Sequence, residues 1–182
     1  KKFNKEALNE LKIKNRLILI ETLNFIPQYK KEIKIVFGGY LKQEKNLIKI
    51  KNKDLICVSK HKANLQTLED LIFAFKVCKH VKSNAIVLAQ NKQTIGIGAG
   101  QMSRVDSTKI AILKRKNNNN NRKFVAASDA FFPFTDNIKL LIKNKCHSIV
   151  QPKGSINDKK IIDFVNKKNI SLYFSKHRLF KH

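Results

Sequence analysis

Four short segments of this chain combine residue types that can hold an anion or a flat ring. The first, Gly96-Ile97-Gly98-Ala99-Gly100-Gln101-Met102-Ser103-Arg104, is glycine-rich and leads into a helical pattern. Such a turn can offer backbone N–H groups and a helix N-terminus to an anion. Arg104 adds a guanidinium fork suited to a carboxylate or phosphate. The same glycines equally suit a tight structural bend, and the third comes one residue too early for a dinucleotide loop. The second segment, residues 128–136, sets Phe131, Phe132 and Phe134 around Pro133. It is either core or a stacking platform for a planar ligand. Asp136 beyond it can accept from a ring N–H or cap the helix that follows. The third, Gln151-Pro152-Lys153-Gly154-Ser155, offers N–H groups and the Ser155 hydroxyl, as a ligand contact or a plain cap. The fourth, Arg178-Leu179-Phe180-Lys181-His182, alternates cationic and aromatic residues. It either frays or closes over a phosphorylated ligand. No catalytic triad is legible. His61, His80, His147, His177 and His182 lack the HxxxH or HxE spacing of a zinc site, so no zinc is expected.

Alternating elements must position these segments. Residues 4–14 carry Ala7, Leu8 and Leu11 at helical spacing, and an apolar strand follows over 17–20. Residues 33–37 read as a strand ended by Gly38-Gly39, and 45–53 as a half-exposed connector. The longest helical pattern spans 65–81, with Thr67 as a candidate N-cap and Asp70 three residues on. Strands over 85–89 and 94–97 form a hairpin. Then come a helix over 103–116, a low-complexity asparagine loop, a strand over 124–128, a helix over 137–145, a strand over 148–151, a helix over 158–167 and a strand over 170–174. Residues 4–20 and 157–173 repeat helix, turn and strand at the same spacing, aligning Leu8 with Ile161 and Leu11 with Phe164. A three-layer α/β fold follows, with a mixed sheet flanked by helices.

Composition bounds the function. Hydrophobic residues make up 42% of the 182, enough for a real core. No apolar run approaches a membrane span, and no apolar stretch follows the first lysines as a secretion signal requires. The chain starts at Lys1 rather than Met, as a fragment or processed chain would. Cys57, Cys78 and Cys146 are odd in number and far apart, which suggests neither a disulfide framework nor a zinc ribbon and fits a reducing cytoplasm. The net charge of +25 attracts polyanions. Its lysines are scattered rather than clustered, and Lys, Asn and Ile are enriched together, as AT-rich coding would produce. Specific nucleic-acid binding is therefore not expected, although a basic nucleic-acid-binding module is the alternative reading.

The segments occur together and in order. Phe73-Ala74-Phe75-Lys76-Val77, Lys82-Ser83-Asn84-Ala85, GIGAGQMSR at 96–104, SDAFFPF at 128–134, QPKGS at 151–155 and RLFKH at the end follow one another nearly unbroken. Gly38-Gly39-Tyr40-Leu41-Lys42-Gln43 adds an upstream match. This conjunction resembles the AICAR transformylase family, over essentially the whole chain. The resemblance implies cytidine-deaminase-like α/β units without catalytic zinc: residues 1–58 would end a first lobe and its connector, and 59–182 would form a second. It implies transfer of a formyl group from the co-substrate 10-formyltetrahydrofolate to AICAR ribotide, in a cytoplasmic homodimer with shared active sites and no membrane association.

By motif position, the resemblance implies that Asn84 lies near the AICAR amine and the formyl group, and that Arg104 binds folate. Phe131 would pack on the ligands, Asp136 contact the pterin and Ser155 line the folate pocket. Arg178 would hold the AICAR phosphate, Phe180 stack on its ring and His182 contact the carboxamide. A structural potassium near Ser83 and Asp129 is also implied, though Val81 and Ala85 offer no side-chain oxygen there. The family's general-base histidine belongs to a Lys-His pair on a segment N-terminal to these residues. The Lys-His pairs at 60–61, 79–80, 176–177 and 181–182 stand in other contexts. The family's cyclohydrolase domain has no counterpart here, Lys153 replaces a small residue, and the asparagine loop is expanded. The chain alone is therefore expected to be inactive.

Overall fold

The computed structural model describes residues 3–13, 31–117 and 122–181. The chain forms two compact units, Lys1–Lys45 and Asn46–His182. In the first, Asn4 caps α1 (Lys5–Leu11), its Oδ1 accepting the Ala7 N–H at 2.7 Å. The strand β1 (Lys31–Val36) pairs antiparallel with β2 (Gly39–Glu44), Ile35 opposite Tyr40. Gly38, at φ +79, lets the chain reverse, so the glycines turn a hairpin rather than simply ending a strand. The strand expected over 17–20, and with it half of the repeat's first copy, lies outside the described residues.

The second unit is built on a six-stranded sheet. Its elements are β3 (Leu55–Cys57), α2 (Leu65–Cys78), β4 (Ile86–Gln90), β5 (Gln93–Gly98), α3 (Arg104–Asn117), β6 (Phe124–Ser128), α4 (Asp136–Lys143), β7 (Cys146–Pro152), α5 (Asp158–Lys167) and β8 (Ser171–Ser175). The strand order is β3-β8-β7-β6-β4-β5. Strands β6, β7 and β8 run parallel, and β3, β4 and β5 run antiparallel to their neighbours. Helices α4 and α5 are the crossovers that parallel pairs require. Residues 46–58, read from sequence mostly as connector, supply Ile50 and Leu55 to the core and β3 to the sheet edge.

Alternation along the strands creates the three layers. Val87, Ala89, Val125, Ala127 and Val150 pack with Leu71, Phe75 and Cys78 of α2. Their neighbours Ile86, Leu88, Phe124, Ala126 and Ile149 pack with α3, α4 and α5 through Ala111, Ile138, Leu141, Ile161 and Val165. The expected fold class, a mixed α/β sheet flanked by helices, is what the chain adopts.

Two local expectations are corrected. Asn64, not Thr67, caps α2, accepting the Thr67 N–H at 2.8 Å. Asp70 is buried and belongs to no capping box; it accepts the N–H groups of Asn91 and Lys92 at 2.9 and 2.7 Å. Both turn residues have positive φ, 50 and 55, as a two-residue hairpin turn requires. Gly96 and Gly98 serve close packing: a Cβ on either would overlap the backbone carbonyl of Ala111 or Ser107 in α3.

Candidate active site

The topology brings every described candidate residue to one edge of the sheet. Parallel strands β6, β7 and β8 end at Ser128, Pro152 and Ser175. Antiparallel β4 begins at that edge and β5 ends there, since Ile86 lies opposite both Ser128 and Gly98. Asn84 precedes β4 and Arg104 follows β5. Phe131 and Asp136 follow β6, Ser155 follows β7, and Arg178 and Phe180 follow β8. Ligands of α/β sheets bind beyond the carboxyl ends of the strands, where loops diverge.

At the centre lies a buried polar cluster. The Asp129 carboxylate is fully buried, and Arg104 Nη2 approaches its Oδ1 at 3.0 Å. The same nitrogen donates to Asn84 Oδ1 at 2.8 Å, and Arg104 Nε donates to Ser128 Oγ at 3.1 Å. Asn84 Nδ2 donates to the carbonyls of Gln101 and Met102 at 2.9 and 3.0 Å. This fixes the amide orientation, since the flipped group would face Arg104 with a donor. Ser107 Oγ donates to the Asn84 carbonyl at 2.7 Å. Thr108 Oγ1 donates to Asn137 Oδ1 at 2.8 Å, linking α3 to the start of α4.

Two consequences follow from the donor inventory. Asn84 has both amide hydrogens engaged by protein, so what it retains for a ligand is the second lone pair of Oδ1. Among the described residues, Arg104 Nη1 makes no hydrogen bond, which leaves it as that side chain's reach toward a ligand. Arg104 is thus an internal clamp as well as a candidate ligand contact.

The remaining candidates ring this cluster. The Arg178 guanidinium stacks on the Phe131 ring, 5.0 Å from its centroid. Phe131 is half-buried beneath that guanidinium, whereas its neighbour Phe132 is core. Phe180 is 45% exposed. Asp136 is the first residue of α4, exposed, with Oδ1 accepting the Asn137 N–H at 2.7 Å. Ser155 Oγ accepts the Asn157 N–H at 3.1 Å, as a turn-capping hydroxyl does. His182 lies outside the described residues.

Sequence reasoning underrated several groups. Asp129 and Ser83 were given a role only as a metal site, and Ser128, Ser107, Thr108 and Asn137 were given none. The usable signal was Ser128-Asp129 ending an all-buried strand, because a buried carboxylate needs a partner. Gln151 is another: it is fully buried and its Oε1 accepts the Phe132 N–H at 3.2 Å. Burial, reinforced by the Asp129 charge, holds the Cys78 thiol well above its ordinary range. Burial pushes the Cys146 thiol up to about 12.

A profile of the AICARFT/IMPCHase bienzyme family matches residues 1–114. The Bifunctional purine biosynthesis protein PurH of Aquifex aeolicus (strain VF5) is 44% identical over 181 residues, covering 99% of this chain and 35% of that protein. The protein of the same name from Fusobacterium nucleatum subsp. nucleatum is 48% identical over 183 residues, with the same coverage of each. That of Buchnera aphidicola subsp. Baizongia pistaciae is 48% identical over 157 residues, covering 85% of this chain and 29% of the relative. The chain thus spans about a third of the length of the curated relatives it matches. Among the described residues no helix is long and apolar enough to cross a membrane. A profile match over more than half of the chain, with near-complete coverage by such relatives, shows that the chain belongs to the AICARFT/IMPCHase bienzyme family.

Proposed function

We propose that this chain supplies part of the formyl-transfer site of a purine-biosynthesis enzyme, binding AICAR ribotide and 10-formyltetrahydrofolate. The observation that carries the reading is the convergence of Asn84, Arg104 and the Arg178–Phe131 stack on one sheet edge. Formyl transfer needs an amine and a formyl carbon held in near-attack geometry, with donors aimed at the developing oxyanion. The free Oδ1 lone pair of Asn84 orients an amine hydrogen. Arg104 Nη1 faces a folate carboxylate or carbonyl, and Arg178 takes the ribotide phosphate. Phe131 and Phe180 flank the rings, Asp136 and Ser155 bound the folate side, and His182 closes on the carboxamide. The reading gives these residues binding and orienting roles and assigns none of them as general base.

Apolar side chains on the loops of this edge favour a homodimer with shared sites. Met102, Phe134 and Ile156, on three of these loops, are 101%, 64% and 103% exposed. Calorimetric titration of the chain with AICAR ribotide and a folate analogue, at low and high salt, tests the proposal. Saturable binding is expected, weakened by about tenfold or more in Arg178→Ala, since a charge-assisted contact is lost. Absence of saturable binding, with only steeply salt-dependent attraction to duplex DNA, would instead favour a basic nucleic-acid-binding module.

A further inference from the structure

Asp129 touches three separate segments at once. Its Oδ1 accepts from Arg104 Nη2 at 3.0 Å and its Oδ2 from Ser83 Oγ at 2.6 Å. Its backbone carbonyl accepts the Leu179 N–H at 2.9 Å. Ser83 carries the connection onward: its Oγ accepts the Lys181 N–H at 2.9 Å, and its own N–H donates to the Lys181 carbonyl at 2.8 Å. The tail is therefore pinned at alternate residues, 179 and 181. Leu179 points into the core at 0% exposure, while Phe180 between the pins stays 45% exposed. A terminal segment of this composition ordinarily frays; here it is sewn to the buried cluster.

A potassium ion at Ser83 and Asp129 does not suit this set of donors. Hard cations need several free oxygen ligands. Each Asp129 oxygen already accepts a protein hydrogen bond, the Ser83 hydroxyl both donates and accepts one, and the Arg104 guanidinium beside the carboxylate repels a second cation. Val81 and Ala85 on either side carry hydrocarbon side chains.

We propose that Asp129 is a positioning residue that sets Arg178 and Phe180 in register with Asn84 and Arg104 through protein hydrogen bonds alone, with no alkali cation in the joint. Its consequence for ribotide binding rests on the formyl-transfer reading; its consequence for tail order does not. Amide hydrogen exchange of the full chain, followed residue by residue in potassium chloride and in tetramethylammonium chloride at equal ionic strength, tests it. In Ser83→Ala the Lys181 amide is expected to exchange about tenfold faster or more, with Ser83→Thr restoring protection. Asp129→Asn should loosen the same amide, and if that variant does not fold, the Ser83 pair decides alone. Unchanged Lys181 protection in Ser83→Ala overturns the proposal, as does protection that requires potassium. Ribotide affinity measured in parallel should fall about tenfold with the lost staple. A wild-type chain with a protected tail and no ribotide binding would remove the formyl-transfer reading and leave this one standing.

Discussion

Arg104 shows how one side chain can be read correctly by type and incompletely by role. A guanidinium at the start of a helix after a glycine turn promises an anion site, and that much is visible in the sequence. Which anion it meets depends on a residue twenty-five positions away, which the sequence does not reveal. The partner is internal: Asp129, fully buried, with Arg104 itself 14% exposed. Removing one member of a buried pair strands the other's charge, at a cost of about 3–5 kcal/mol. Arg104→Ala should therefore lower stability by that order in a urea titration of the chain, a larger loss than expected of a residue that only binds ligand. Arg104→Lys should recover part of it, because an ammonium reaches the carboxylate but cannot also span Asn84 and Ser128. A near-neutral Arg104→Ala would mean that the clamp contributes nothing to the fold.

Among the elements, the β4–β5 hairpin depends on a helix that sequence reasoning treated separately. Lys92 sits at φ 55, where an L side chain is strained, and Asp70 of α2 compensates by taking both turn N–H groups. Asp70→Ala should destabilise by about 2 kcal/mol, since two charge-assisted bonds go at once. Lys92→Gly should stabilise by up to about 1 kcal/mol, less what the exposed Lys92–Glu69 pair contributes. Thermal melts of the two single variants check both signs; equal destabilisation by both would contradict the strained-turn account. The elements themselves were largely legible, because apolar residues recur at helical spacing in 65–78 and as continuous runs, buried in the fold, in 86–89 and 124–127. Their order in the sheet was not, since nothing local tells β4 to lie beside β6 or β3 beside β8. Nor was the function of Gly96 and Gly98, which becomes plain only once α3 lies across β5. The family resemblance singled out residues on loops that the structure brings to one end of the sheet, whereas the polar cluster beneath them emerged from topology.

For the whole molecule, charge is the dominant unresolved force. Thirty-eight basic side chains face 13 acidic ones, and the described ion pairs engage Glu69, Asp106 and Asp129. Each acidic group can neutralise only one cation, so the net +25 is a repulsion the folded state must carry. Self-repulsion destabilises a compact state and is relieved by counterions. Two accounts of the charge then separate. If the lysines are compositional drift on an enzyme surface, they repel one another with no designed partner. Stability should then rise as sodium chloride is raised from about 0.01 M to about 1 M, as the screening length falls from about 30 Å to about 3 Å. AICAR ribotide binding should persist across much of that range, because its phosphate meets one positioned arginine rather than a diffuse field. If instead the surface serves a polyanion, duplex DNA should bind with a steep logarithmic salt slope and should itself stabilise the fold at low salt. Melting temperature against salt, with and without duplex, measures both. Salt stabilisation without a duplex-specific shift would place the chain's chemistry at the sheet edge, where Asn84, Arg104 and Arg178 meet, and leave the charge as a load on the scaffold.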